Sequence, residues 1–199
     1  MAAAYSTPTT ELEAVNEMLR AIGESPVASI SGTSPLPGDA DVALRTLRWV
    51  TREVCAHAWH WNTEYKYPLP ISPAGEIVVP SGTLAADTDD SHISKDVVLR
   101  GGRLYDRENH TFTFTECVTA RIVFLLPYEE IPEAARNFVA IRAGRKFQQG
   151  AIGSEVLYGF TQRDEDAARA LMMHAEASSA DHNILTGSLD TLGIVDRRI

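Results

Sequence analysis

The dipeptide Gly101-Gly102 constrains this chain more than any other short stretch, because it separates two runs of strand-forming residues. A two-residue type I′ turn needs a positive φ at both central residues, and glycine adopts that conformation without steric cost. Residues 95–100 and 103–106 are therefore predicted to pair as a β-hairpin. A second, polar turn at 106–110 leads into the alternating run 111–114, which completes a predicted β-meander.

Four helical patterns flank this meander. The first begins with a capping box, Thr10-x-x-Glu13, and ends at Gly23. The other three are predicted, from their apolar spacing and flanking residues, over about 39–59, about 131–149 and about 162–185. The sequence thus predicts an α+β fold, a helical bundle of about four helices with an inserted antiparallel β-meander or sheet.

This order of elements predicts three parts. Residues 1–60 and 131–185 are expected to form the helical bundle, and 61–130 a β-rich insertion. Residues 186–199 have few packing residues and are expected to be a C-terminal arm or a disordered tail.

Within the predicted insertion, residues 61–69 are expected to be extended and 75–80 to form a short strand that proline ends. Residues 117–126 alternate as another strand. The stretch 81–94 is predicted to be a polar loop, and 150–159 a hinge-like connection, with or without a helical turn, before the fourth helix.

The third helix carries apolar residues on two sides, with Phe138 on one and Val139 and Phe147 nearly opposite. A helix that is apolar on two sides must be covered on two sides. In a chain of 199 residues we expect one cover to be the helical bundle and the other a neighbouring subunit. Arg145 lies on the Phe138 side, where a charge needs a partner.

Arg45, Arg48 and Arg52 share one edge of the second helix, and Trp59 projects near the same side. The edge is either a solvated basic surface, a surface docked on acidic residues of another subunit, or a DNA contact. The formal net charge of −9 disfavours the third reading, because gripping DNA by its phosphates needs a concentrated basic surface. An acidic wall would instead let DNA pass without sticking.

Motifs of enzymatic chemistry are not found in the sequence: it contains no G-x-S-x-G, no P-loop, no H-E-x-x-H and no dinucleotide-binding G-x-G-x-x-G after a strand. His57 and His60 could share a face, but no third metal ligand is evident. The loop at 81–94 contains Asp87, Asp89, Asp90 and His92. It lacks the ligand register of a calcium loop and is expected to be solvated. No catalytic residue, metal site or cofactor is predicted.

The alternative enzyme hypothesis is a glycoside hydrolase that acts on polysaccharide, which needs only two carboxylates roughly 5–10 Å apart. Asp106 and Glu108 beside His110, or the adjacent Glu129 and Glu130, are the candidate pairs. With 27 acidic residues some pair meets this distance by chance, and turn formation or helix-terminal charge explains both sets.

The composition is that of an ordinary folded protein, with 44% hydrophobic and 23% charged residues. Two distant cysteines, Cys55 and Cys117, favour neither a disulfide framework nor a zinc site. The first residues do not resemble a signal peptide, and no apolar run approaches the ~20 residues that span a bilayer. We expect a soluble protein without membrane insertion, made in a reducing cytoplasm.

Taken together, short stretches along nearly the whole chain resemble the tail tubular protein A family, the head-to-tail adaptor of short-tailed, podovirus-type bacteriophages. The stretches are 10–16, 22–27, 59–64 with Trp59-His60-Trp61, 75–80, 100–107 with Arg100-Gly101-Gly102-Arg103, 131–136, 142–148, 153–154 and 183–185. Each is short, but their order is specific.

The resemblance implies a structural virion protein of the tail. Members of that family form a ring of twelve subunits between the portal protein and the tail nozzle protein, and viral DNA passes through the lumen without sequence-specific binding. Their fold combines a helical bundle with a β-rich part that faces the nozzle.

Two sets of contact residues are predicted on this basis. The subunit-interface residues are Arg45, Arg48, Arg52, Trp59, Arg136, Val139, Arg142 and Phe147. The nozzle-facing β element comprises Arg103, Tyr105, Asp106, Arg107 and His110.

Overall fold

The structure, a computed structural model, describes residues 8–31, 35–88, 96–151 and 155–179. Its helices are α1 (Glu11–Ala21), α2 (Gly38–Cys55), α3 (Glu133–Ala151) and α4 (Glu155–Ser179). Its strands are β1 (Thr63–Leu69), β2 (Thr83–Thr88), β3 (Val97–Arg100), β4 (Arg103–Asp106) and β5 (Val118–Phe124). The fold is α+β, as the sequence predicts.

The helical bundle is arranged around α3, which packs against α1, α2 and α4. Both apolar sides of α3 are buried: on one side Phe138 is 4% exposed, and on the other Val139 is 0% and Phe147 is 5% exposed in the single chain. The prediction of two-sided burial is confirmed, but the covers are the chain's own helices. The inference that the second cover is a neighbouring subunit is therefore not needed for these side chains.

The ends of α1 form as the sequence predicts. The Thr10 hydroxyl accepts a hydrogen bond from the Glu13 amide, and the Glu13 carboxylate accepts one from the Thr10 amide. The amide and the hydroxyl of Thr10 both donate to the Glu13 carboxylate, and these two bonds hold the pKa of Glu13 below its usual value because they favour the ionised form. At the other end Gly23 has φ +84°, and the Glu24 amide donates back to the Leu19 carbonyl.

Two predicted helix boundaries are wrong. α2 ends at Cys55 rather than near residue 59, because the chain reverses direction with Ala58 in the left-handed region at φ +55°. The hinge predicted at 150–159 is largely helical instead, since α3 continues to Ala151 and α4 begins at Glu155. The end of the predicted fourth helix and the predicted tail at 186–199 lie outside the described residues.

The larger sheet is antiparallel, with β5 between β1 and β2. β2 falls in the stretch predicted to be a polar loop. It is a strand because it pairs with β5 from Thr83 opposite Phe124 to Thr88 opposite Ala120. The run 75–80 makes isolated β-bridges rather than the predicted strand.

The predicted hairpin is present, with β3 and β4 joined by Gly101 at φ +58° and Gly102 at φ +75°. These angles suit the type I′ turn that the two glycines predict. The run 111–114 pairs only through bridges from Thr111 and Thr113.

The β-rich part has its own apolar cluster of buried side chains. They are Leu69, Ile77, Val79, Val97, Leu104, Phe114, Val118, Ala120 and Ile122. Buried Asn62 joins this part to the bundle, since its side-chain amide donates to the carbonyls of Cys55 and Phe124 at 2.7 and 2.8 Å. The division into separate domains stays a prediction.

Candidate functional site

The outer face of the β3–β4 hairpin carries two packed aromatic rings with an arginine at each end, here called the hairpin ladder (Arg100, Tyr105, Phe112 and Arg103). The Arg100 guanidinium carbon lies 3.9 Å from the centre of the Tyr105 ring. The Tyr105 and Phe112 rings pack edge to face at 4.9 Å, and Arg103 lies 4.5 Å from the centre of the Phe112 ring. The ladder is therefore a preorganised surface that displays two guanidinium groups.

Strand register explains why these residues share a face. Arg100 is opposite Arg103 and Val98 is opposite Tyr105, so these four side chains point outward while Leu99 and Leu104 point the other way. Of the ladder, the sequence analysis included Arg103 and Tyr105 but missed Arg100 and Phe112. The hairpin register that Gly101-Gly102 predicts could have found Arg100.

Asp106 forms a turn rather than a catalytic pair. Its side chain is 6% exposed and accepts hydrogen bonds from the amides of Glu108 and Asn109 and from the Asn109 side chain, at 2.8–2.9 Å. His110 follows with φ +53° and is exposed. The predicted nozzle-facing residue Arg107 is also exposed and pairs with Asp96 at 3.2 Å.

The helices are joined by the Glu165 network, which comprises Glu53 of α2, Arg142, Arg145 and Lys146 of α3, and Glu165 of α4. Glu165 is 5% exposed and accepts hydrogen bonds from Arg142 at 2.8 Å and from the Nε of Arg145. Glu53 accepts from Arg142 and from Lys146, the latter at 2.6 Å. The partner that the sequence requires for Arg145 is thus Glu165, in the same chain.

The network also sets the ionisation of Glu53. Partial burial acts to raise the pKa of this carboxyl, but the hydrogen bonds and charges of Lys146 and Arg142 outweigh it. The pKa of Glu53 therefore lies below its usual value, and the carboxylate is ionised at neutral pH.

Most of the predicted interface residues contact their own chain. The Trp59 indole donates to the Val54 carbonyl at 2.7 Å. Arg136 donates to three backbone carbonyls around the start of α3, those of Ile131, Thr9 and Glu129.

The basic edge of α2 is exposed, as the sequence predicts, but two of its members have intrachain partners. Arg48 makes two hydrogen bonds to the Glu11 carboxylate, at 2.9 and 3.0 Å, and Arg45 pairs with Asp41. Arg52 is exposed and makes no ion pair with any other described residue. Whether the edge meets another subunit stays a prediction.

The sequence analysis missed an exposed tryptophan on the same helix. Trp49 is 65% exposed and Val42, two turns earlier on the same side, is 47% exposed. Lys146 approaches the Trp49 ring at 5.7 Å. We call this surface the Trp49 ridge (Val42, Arg45, Trp49 and Arg52). The i, i+7 spacing of Val42 and Trp49 was the available signal.

A groove of about 970 Å³ runs between α1, α3 and α4. Its apolar lining includes Ala140, Ile141 and Leu171, the last of which is 63% exposed. Four carboxylates against two guanidinium groups give its lining an acidic balance. The carboxylates are Glu13, Glu17, Glu133 and Asp164, and the guanidinium groups are Arg20 and Arg145. We call this surface the acidic groove.

Within the described ranges, no group of three or more His, Cys, Asp and Glu side chains is arranged to hold a metal ion. The helices of the same ranges include none long and apolar enough to cross a membrane. Asp89, Asp90 and His92 of the predicted acidic loop lie outside the described residues.

The fold and these surfaces define an α+β protein with ordered aromatic and charged groups on its exposed faces. The sequence profile of the tail tubular protein family matches residues 12–182. The chain is also 28% identical to tail tubular protein A of Klebsiella phage KP34 over an alignment of 163 residues. This alignment covers 82% of this chain and 84% of that protein. This chain therefore belongs to the tail tubular protein family and is a structural protein of a bacteriophage tail.

Proposed function

We propose that this protein is a ring-forming adaptor that joins the portal to the tail nozzle and lines the channel through which DNA leaves the virion. The observation that carries the proposal is the family match over residues 12–182, because it includes both the helical bundle and the β-rich part. The match thus extends over most of the chain rather than over one shared motif.

The ring consists of copies of this chain, and the resemblance to the family implies twelve of them. Its helical bundles lie side by side, and the exposed basic edge of α2 (Arg45, Arg48 and Arg52) contributes to the contacts between them. The net charge of −9 supports a lumen that DNA crosses without being held, since few phosphates could be neutralised there.

The β-rich part docks on the nozzle through the hairpin ladder and the neighbouring turn with Arg107 and His110. Two observations support this assignment: the ladder is a rigid aromatic and cationic surface, and it lies outside the helical bundle. Aromatic and arginine side chains are the residues that most often dominate binding energy at interfaces.

The test is mass measurement and negative-stain imaging of the purified chain, alone and with the portal and nozzle proteins of the same phage. We expect a closed ring, at the latest when the portal is present as a template. A chain that remains monomeric at micromolar concentration with both partners contradicts the proposal.

Nozzle docking has its own variant. The double substitution Arg100→Glu with Tyr105→Ala removes two of the four side chains of the hairpin ladder. It should therefore abolish nozzle binding while ring formation persists. Arg121→Glu, at another exposed arginine of the β-rich part, is the control and should bind the nozzle normally.

We do not propose the glycoside hydrolase alternative, because no observation favours it. Asp106 is occupied by three hydrogen bonds of its own turn, and Glu129 accepts a bond from the Glu11 amide. Incubation with capsular polysaccharide and with α- and β-glucans tests it. Release of reducing sugar that depends on these acids would revive the alternative.

A further inference from the structure

We infer that the Trp49 ridge of one copy of this chain inserts into the acidic groove of the next copy, so that the two surfaces form the repeating contact of the ring. The inference rests on the proposed function and specifies which surfaces meet.

The first argument is chemical complementarity. The ridge exposes the indole of Trp49 between two arginines, Arg45 and Arg52, spaced i, i+7 along α2. The acidic groove offers the matching features: an open apolar lining with an exposed leucine, Leu171, and an excess of carboxylates around it. Asp164 makes no ion pair with any other described residue, so it is available to a cation from outside. Arg52 likewise makes no ion pair with any other described residue, so its guanidinium group is available to a carboxylate from outside.

The second argument is the position of the two surfaces on the bundle. Lys146 of α3 lies beneath the Trp49 ring, whereas Gly144 and Gln148 of α3 line the groove. At 3.6 residues per turn, these groove residues lie about 160° around the helix from Lys146. The ridge and the groove therefore face opposite sides of the subunit. A contact between two different surfaces on opposite sides is head-to-tail, the type that builds rings when the rotation closes.

A two-fold contact between two Trp49 ridges is the competing arrangement. It would bring Arg45 and Arg52 of one copy against the same arginines of the other, and like charges facing each other are unfavourable. The charges of the two surfaces thus favour a contact of ridge with groove over a contact of ridge with ridge.

The experiment uses two complementary variants of the full chain. The ridge variant is Trp49→Ala with Arg52→Glu, and the groove variant is Glu17→Arg with Asp164→Arg. All four positions are exposed, so both variants should keep the circular dichroism spectrum and unfolding midpoint of the parent chain. The matched control is Tyr65→Ala with Arg121→Glu, because Tyr65 is 67% exposed, almost the same as Trp49.

Self-association is followed by sedimentation velocity at high micromolar concentration and low salt, with and without the portal ring. Each variant alone should associate at least about thirtyfold more weakly than the parent chain, the loss expected when an interface hot spot of about 2 kcal/mol is removed. The control should associate normally.

The decisive sample is an equimolar mixture of the two variants. The ridge variant keeps an intact groove and the groove variant keeps an intact ridge, so the mixture should give a one-to-one heterodimer and nothing larger. Raising the ionic strength should weaken that heterodimer, since its charges are partly solvated.

Three results would overturn the inference. They are a groove variant that assembles like the parent chain, a mixture that gives no heterodimer although the parent chain assembles, and a control that is impaired as much as the variants. In these cases the ring itself still forms, so the proposed function survives. A parent chain that stays monomeric with and without the portal overturns both.

Discussion

In the helical bundle, α3 packs against the three other helices, and five charged side chains join it to two of them. The β-rich part differs, because a small apolar cluster lies under short strands that are joined by tight turns. The bundle therefore combines a large apolar core with buried charges that need partners inside it. The β-rich part depends on backbone conformations that only certain residues tolerate. The same chain thus reaches order by two physical routes, and each has its own weak point.

The difference also separates the proposed roles. A bundle held together internally by the Glu165 network leaves its outer faces, the Trp49 ridge and the acidic groove, available for copies of itself. The hairpin is fixed by its turn and by the packing of Leu104 beneath it, so its outer face can present the ladder without rearranging. Substitutions in the two regions should therefore have different costs.

The largest effect is expected at Glu165. Glu165→Ala leaves Arg142 and Arg145 partly buried without their shared acceptor, which should cost about 3–5 kcal/mol of unfolding free energy. Urea denaturation measures it. The neighbouring exposed carboxylate gives the control, because Asp164→Ala should stay within about 0.5 kcal/mol of the parent chain. Equal effects of the two substitutions would show that the network does not stabilise the bundle.

The next largest effect is expected in the β-rich part. Leu104 is 0% exposed, so Leu104→Ala should cost about 2–5 kcal/mol, whereas Val78→Ala at an exposed position should cost little. All three tryptophans of the chain lie in α2 or just after it, so their fluorescence reports on the bundle.

The same substitution tests whether the two parts unfold together. Leu84 of β2 and Leu125, just after β5, pack against the bundle core, so we expect the fluorescence transition of Leu104→Ala to move together with hydrogen exchange in β3 and β4. A fluorescence transition that stays at the parent midpoint while the hairpin exchanges faster would instead mean that residues 61–130 unfold as their own domain.

A smaller effect is expected at the hairpin turn. Gly101→Ala places a Cβ on a residue with φ +58°, which should cost about 1–2 kcal/mol although no atom would obstruct the added carbon. Gly150→Ala is the control: it lies in α3 with open space around it, and should stabilise the chain by up to about 1 kcal/mol. Thermal unfolding compares the two, and a harmless Gly101→Ala would contradict the type I′ assignment.

The smallest effect concerns pH. The pKa of Glu53 is lower in the folded chain than in the unfolded chain, so its contribution is present above the unfolded value of about 4.5 and is lost as the pH falls through the folded value. Glu53→Gln should therefore cost about 1 kcal/mol or less at pH 7, and the difference from the parent chain should shrink towards pH 3. Urea midpoints at the two pH values measure this. A difference that grows on acidification would contradict it.

Local signals in the sequence predicted local structure well. The capping box at Thr10, the end of α1 at Gly23 and the turn at Gly101-Gly102 all depend on residues within a few positions of one another. The class of fold and the family also followed from the sequence, because the order of short motifs and apolar periods extends over most of the chain.

Long-range pairing was harder to predict. β2 contains two alanines and an aspartate, residues with low strand propensity, and it is a strand because β5 pairs with it. The second cover of α3 was assigned to another subunit, since the sequence did not show that α4 begins seven residues earlier than predicted and lies along it. The acidic groove was missed for the same reason, because α1, α3 and α4 form it together.

The sequence alone therefore determined the elements whose stability is local: the caps, the glycine turn and the amphipathic stripes of α1 and α2. Only the tertiary structure decided which charges pair inside the chain and which remain on its surface. Arg142 and Arg52 were both predicted from the sequence to be subunit-interface residues. In the structure Arg142 pairs with Glu165 and Glu53 inside the chain, whereas Arg52 is exposed. The partners of a side chain depend on which groups the fold brings within contact distance of it. The spacing of residues along the sequence does not give that distance.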